Sequence, residues 1–247
     1  IINNSWGGVG YSMYEQSVIN TCFNTYNSII VCAGGNGSET GWGESDDSHY
    51  PSGYDNVVSV CPIGSNNSWN HWATYGETID LSSPGENIRS TTNSGYSSWD
   101  GSSMASPVAA SVFGLLKSYN PTWNNQMVEI MVLATADPVI YDVNTENYLE
   151  GMLGRGRVDT YNALTTPLFP SIEFVGEDLI AGEDDIMNPG EEVELFIILF
   201  NNPEWGNATE AYATISTVNN NINITNPTVY LGNIPSGEVG INADDPF

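Results

Sequence analysis

Positive charge is what this chain lacks most. Its 247 residues carry four lysines and arginines against 30 aspartates and glutamates, a formal net charge of −26. A field of that sign repels nucleic acid and anionic membranes, so neither is expected as a partner. It favours solubility, and it fits a secreted, extracellular protein in a salty medium where self-repulsion is screened. Cysteine is scarce too. Cys22, Cys32 and Cys61 are too few and too scattered for a disulfide scaffold or a zinc site, so no metal centre is assigned. Cys32 and Cys61 each end an apolar run and read as buried thiols, while a pairing of two of the three stays open. No stretch reaches the roughly 18 consecutive apolar residues that a membrane-spanning helix needs. No leader pattern opens the chain either. Ile1-Ile2-Asn3-Asn4-Ser5 reads as the middle of a strand, so the chain is expected to be cut from a longer one.

Hydrophobic residues make up 40% of the sequence, and the length allows one large domain or two modest ones with ample core. Ile1 to Asn4 reads as a strand running into Ser5-Trp6-Gly7-Gly8. The spacing of Val18, Ile19, Cys22 and Phe23 predicts a helix over 14–26. Ser28-Ile29-Ile30-Val31-Cys32-Ala33 is a wholly apolar strand of the kind buried in parallel sheets. It breaks into Gly34-Gly35-Asn36-Gly37, and such a loop after a strand marks the sheet edge where α/β folds bind ligands. Val57 to Cys61 is another strand, and Ile88 to Thr92 with Tyr96 to Trp99 reads as a short hairpin. A helix follows to about Tyr119, and a second one is expected from Asn120-Pro121-Thr122 with Thr122 as its cap.

One stretch carries the chemistry. Gly101-Ser102-Ser103-Met104-Ala105-Ser106-Pro107 places small residues around a serine at the start of an apolar helix. Glycine permits the tight turn and close approach, and Pro107 suits a first helical turn. A serine there sits in the positive end of the helix dipole, which favours negative charge on a bound substrate. Ser103 is therefore the candidate nucleophile; the alternative is a plain small-residue helix start. A nucleophile elbow of the α/β-hydrolase kind is excluded, because Ala105 stands where it needs glycine. Asn36, taken by its residue type and place alone, reads as a left-handed turn residue.

These residues resemble the subtilisin-like serine proteases, the subtilases. The serine motif matches their nucleophile signature, with Ser102 where the family usually has threonine. Ala33-Gly34-Gly35-Asn36-Gly37 resembles the segment bearing their oxyanion asparagine. Ile79-Asp80-Leu81-Ser82-Ser83-Pro84-Gly85-Glu86 and Gly154-Arg155-Gly156-Arg157-Val158-Asp159 continue the match in the same order, with Arg155 and Arg157 read as core-edge packing and surface charge. The resemblance implies an α/β fold with a partial subtilisin-like parallel-sheet domain over residues 1–167. It implies Ser103 as catalytic nucleophile and Asn36 in the oxyanion hole. It further implies that Ser5, Trp6, Gly7 and Gly8 pair with an extended polypeptide substrate, beside Gly34 and Gly35. Tyr50-Pro51 lies in the family's specificity region, so His49 either lines the pocket for the P1 side chain or is a structural histidine. Glu39, Glu44, Asp46 and Asp47 form a loop that is either solvated or an acidic rim favouring a basic P1 residue.

After Pro167 the pattern changes. Ile172 to Val175, Glu192 to Asn201, Ala211 to Ile215 and Thr228 to Leu231 read as strands separated by turns, with no helical period. An all-β, sandwich-like accessory domain is expected over 168–247, cut short at Phe247. Asp184-Asp185-Ile186-Met187-Asn188-Pro189-Gly190-Glu191 resembles the opening of modules appended to secreted bacterial enzymes. Its carboxylates are either solvated or ligands for a structural calcium ion; no cofactor is otherwise required.

A serine hydroxyl needs a positioned base, itself oriented by a carboxylate. Neither His49 nor His71 stands where the family has its catalytic histidine, so the Asp and His are expected upstream of Ile1. The expected function is a secreted serine endopeptidase. The rival reading, an extracellular binding protein with a degenerate domain, is opposed by the intact Ser103, Asn36 and their glycines. A third, an esterase using the same serine, would cleave esters without peptides.

Overall fold

The computed structural model describes residues 1–37, 49–181 and 186–247. The acidic loop with Glu39, Glu44, Asp46 and Asp47, and the Asp184-Asp185 pair of the proposed calcium segment, lie outside the described residues. The chain divides by its internal contacts into two units, Ile1–Thr166 and Pro167–Phe247.

In the first unit, β1 (Ile2–Asn4) is followed by helix α1 (Met13–Asn24), then β2 (Ile30–Ala33), β3 (Val58–Ile63) and β4 (Leu81–Pro84). These four strands form one parallel sheet in the order β1-β2-β3-β4. Every residue of β2 and β3 is buried, the property their unbroken apolar runs demand. α1 starts at Ser12, whose hydroxyl accepts from the Glu15 N–H, and it buries Gln16, Ile19 and Phe23. The expected hairpin is β5 (Ile88–Thr92) with β6 (Gly95–Trp99), and it delivers the chain to α2 (Ser102–Tyr119). α2 crosses back over the sheet and packs on all four parallel strands, burying Ala105, Ala109, Phe113 and Leu116 completely.

α3 (Asn125–Ala134) begins later than its sequence suggests. Its cap is Asn124, whose side chain accepts from the Met127 N–H, and Thr122 lies outside the helix. Asn and Thr are both good caps, and Asn124 wins because the buried positions Met127, Val128, Met131 and Val132 set the helical phase. The short helices α4 (Ile140–Val143) and α5 (Thr160–Thr165) follow. Arg157 closes this region by pairing with Asp137 at 2.7 Å, and the two backbones exchange hydrogen bonds. Cys22, Cys32 and Cys61 are all free, and burial pushes the thiols of Cys32 and Cys61 up to about 11 and about 12.

The second unit is all β among its described residues. β7 (Ile172–Ala181), β8 (Val193–Asn201) and β11 (Val239–Ile241) make one antiparallel sheet, and β9 (Ala208–Thr214) pairs with β10 (Thr228–Ile234) in another. Ile197 of the first sheet and Ala208, Val229, Leu231 and Ile234 of the second belong to one buried cluster with Phe247. β11 is too short to show as a period in the sequence.

Two carboxyls of the first unit are partly buried. Burial raises Asp80 to about 6 despite the Ser59 N–H and the Arg155 charge, and burial with the Asp80 charge raises Glu129 to about 7. Both folded-state values lie above those of the unfolded chain. The fold is thus favoured while these groups are protonated, and that stability is lost as pH rises through 6 and 7. Chemical denaturation of the chain at a series of pH values should show the first unit weakening from about pH 4 to about pH 7. Glu129→Gln should flatten that slope; an unchanged slope would mean that Glu129 is not the group titrating.

Candidate active site

A helix leaves its first four N–H groups without an internal partner, and α2 distributes its own unequally. The Ser102 N–H donates to Asn36 Oδ1 at 2.9 Å. The N–H groups of Met104 and Ala105 turn back to the Gly101 carbonyl at 3.0 and 3.2 Å. Among the described residues, the Ser103 N–H has no partner. The one donor left open is the one at the candidate nucleophile.

Asn36 stands just past the end of β2, and its carboxamide is fixed by the residue before the nucleophile. Ser102 donates to Asn36 Oδ1 with its hydroxyl as well, at 2.8 Å, and its Oγ accepts from the Gly35 N–H at 3.2 Å. A backbone N–H only donates, so the amide oxygen must face Ser102 and the amide nitrogen must face away. A Cβ placed on Gly101 would stand 3.7 Å from Ser103 N and 3.8 Å from Asn36 Nδ2. Both nitrogens thus lie near Gly101, beside the candidate nucleophile. Gly101 also adopts a φ of 154°, a further reason for glycine there. The sequence singled out Ser103 and Asn36. It did not show that the Ser102 hydroxyl orients Asn36, although keeping a hydroxyl where the family has threonine was the signal.

Pro107 is not in the first turn, as its sequence position suggests, but is the sixth residue of α2. There its missing N–H matters, because that group would have bonded the carbonyl four residues earlier, on Ser103. The Ser5 hydroxyl supplies the donor instead, at 2.9 Å. In return the Ser103 hydroxyl donates to the Ser5 carbonyl at 3.1 Å. Ser5 and Ser103 are thereby clasped through both backbone and side chain. Neither histidine bonds Ser103: His71 lies edge-on to Trp69 with ring centroids 5.4 Å apart.

The other candidate residues surround the clasp. Trp6, Gly7 and Gly8 run out from the end of β1 and are exposed. Gly8 exchanges two backbone hydrogen bonds with Tyr50, each 2.8 Å long. Among the described residues, the backbone groups of Gly7 have no partner. Gly34 and Gly35 are buried, and a Cβ on Gly34 would press against Ile79 and the Val60 carbonyl. His49 sits between the two glycine segments. A Cβ on Gly7 would collide with its imidazole, and one on Gly35 would stand 3.3 Å from its Cγ. Its Nδ1 lies 3.1 Å from Ser52 Oγ. Burial pushes the imidazole below its ordinary value, against the pull of the Ala33 carbonyl. Thr74, not foreseen, braces the same loop by accepting from the Gly37 N–H at 3.0 Å.

Known proteins resemble this chain. The chain is 34% identical over 166 residues to thermitase of Thermoactinomyces vulgaris, covering 66% of this chain and 53% of that protein. It is 32% identical over 154 residues to subtilisin amylosacchariticus of Bacillus subtilis subsp. amylosacchariticus, covering 62% of this chain and 39% of that protein. The chain therefore spans about two fifths to one half of the curated relatives it matches. A protease of Pseudoalteromonas arctica matches in structure with a TM-score of 0.56 and 27% identity, over 66% of this chain and 50% of that one. The model of the subtilase family matches residues 1–158, and the chain belongs to that family.

Proposed function

We propose that the chain is part of a secreted serine endopeptidase that cleaves peptide bonds through an acyl-enzyme on Ser103. The observation that carries this is the shared space bordered by the Ser103 N–H and Asn36 Nδ2, beside the Ser103 hydroxyl. Ser103 Oγ attacks the scissile carbonyl and its proton passes to a base. The carbonyl oxygen becomes an anion facing the two donors, and the base returns the proton to the leaving amine. Water then attacks the acyl-enzyme by the same route. In this reading the base and its orienting carboxylate lie upstream of Ile1, because neither His49 nor His71 stands where the family has its catalytic histidine. The chemistry as written needs no cofactor. The open backbone of Gly7 pairs with an extended substrate. The second unit is a sandwich-like accessory domain, a reading supported by the cluster shared between its two sheets. Secretion is supported by the net charge of −26.

Labelling the full-length mature protein with a fluorophosphonate, followed by mass spectrometry, tests this reading. Label confined to Ser103 and absent from Ser103→Ala is the expected result. A folded, mature protein without label would instead support a binding module. Asn36→Ala should lower kcat about 100-fold with little change in KM, the size of effect known for loss of this donor in the family. Gly101→Ala should lower kcat also, because its methyl intrudes on the same space; unchanged turnover in either variant would refute the oxyanion assignment.

We further propose that His49 narrows the P1 pocket: a Cβ on either Gly7 or Gly35 would meet its imidazole, a crowding that favours a short P1 side chain. Peptides with Ala at P1 should be cut faster than those with Phe, Leu or Arg. His49→Gly should raise kcat/KM for Phe by about 10-fold or more, the scale of discrimination per methylene in a pocket. An unaltered preference would remove His49 from the pocket.

A further inference from the structure

The clasp between Ser5 and Ser103 is itself held from behind. Asn3, in the middle of β1, donates from Nδ2 to Ser5 Oγ at 3.0 Å. Its Oδ1 accepts from the Ser106 hydroxyl at 2.6 Å. Ser106 is wholly buried on α2, one turn beyond the nucleophile, and its hydroxyl also lies 3.3 Å from the Val31 carbonyl on β2. The directions are mutually consistent. Ser106 gives its proton to Asn3, Asn3 gives one to Ser5, and Ser5 gives its own to the Ser103 carbonyl. Each hydroxyl donates once, and the bond that Ser5 Oγ accepts from Asn3 holds it in the rotamer from which it donates to Ser103.

We propose that Asn3 is a positioning residue for Ser103, acting through the Ser5 hydroxyl that stands in for the N–H missing from Pro107. This rests on the reading of Ser103 as nucleophile. Asn3 touches neither substrate nor the reacting atoms. Its effect is on where the first turn of α2 sits relative to β1, and so on the position of Ser103 Oγ and its N–H. Hydrogen-bonded chains of this kind couple their members more strongly than separate pairs.

The full-length mature protein tests this through two double-mutant cycles, with fluorophosphonate labelling rate and peptide kinetics as readouts. Asn3→Ala should slow labelling and lower kcat by about 10-fold, with KM within about twofold of wild type. In a Ser5→Ala background the further change Asn3→Ala should cost nothing, because the link it supports is gone. In a Pro107→Ala background, where residue 107 again offers an N–H to the Ser103 carbonyl, the loss from Asn3→Ala should shrink. The same loss from Asn3→Ala in all backgrounds would overturn the proposal, as would lowered thermal stability with unchanged rates per folded molecule. If Pro107→Ala does not fold, the Ser5 cycle decides alone. A wild type that takes no label overturns the proposed function and this proposal together. A labelled wild type with additive cycles overturns only this one.

Discussion

The structure of the first unit depends on the hydrogen-bonding groups that the start of α2 leaves unsatisfied. A helix end must find partners outside itself, and those partners fix the helix to its surroundings. α2 finds them at the carboxyl ends of two adjacent parallel strands. Asn36, past β2, takes the Ser102 N–H and hydroxyl, and Ser5, past β1, takes up the Ser103 carbonyl. A parallel sheet places all strand ends of one polarity along one edge, so one helix N-terminus reaches both. Among the described residues, the Ser103 N–H and Asn36 Nδ2 remain unpaired there, and in the proposed function a developing negative charge uses them.

Proline and glycine make this possible by what they lack. Pro107 deprives the Ser103 carbonyl of its helical donor, so the helix must recruit one from β1. A side chain on Gly101 would enter the space that both open donors face. Replacing Gly34 or Gly35 would force the end of β2 away from β3 and from Thr74, and Asn36 with it. The tolerance for error is small, because a displacement of about 1 Å at a reacting centre costs orders of magnitude in rate. A buried anchor such as Ser106 is therefore more effective than a surface contact, since its neighbours cannot repack without cost.

Much of this was legible in the sequence, and what was not has a physical cause. The apolar runs of β2 and β3 announce a buried parallel sheet, and the hairpin and both helices follow their spacing. Ser103 is legible from the small residues around it, and Asn36 from the resemblance of its segment to the subtilases. The start of α3 was misplaced because Thr122 and Asn124 have near-equal capping strength, and only packing separates them. Pro107 was placed in a first turn because local preference favours it there. The roles of Asn3, Ser102 and Ser106 depend on pairings across 66 to 103 residues of chain, and no local pattern encodes a partner so distant. The acidic rim and the carboxylates proposed for calcium lie largely outside the described residues, and they stand as sequence expectations.

A protein with a net charge of −26 is a poor environment, on average, for an oxyanion, yet the average does not decide. At physiological ionic strength the field of surface charges fades over a Debye length of about 8 Å. Fixed donors at hydrogen-bond distance act well inside that length and need no reorganisation as charge develops. The nearest acid in sequence, Asp100, has Oδ1 occupied by the Asn87 N–H at 2.6 Å, which ties the base of the hairpin together. Acidity on the surface and anion stabilisation in the site are compatible because they operate over different distances.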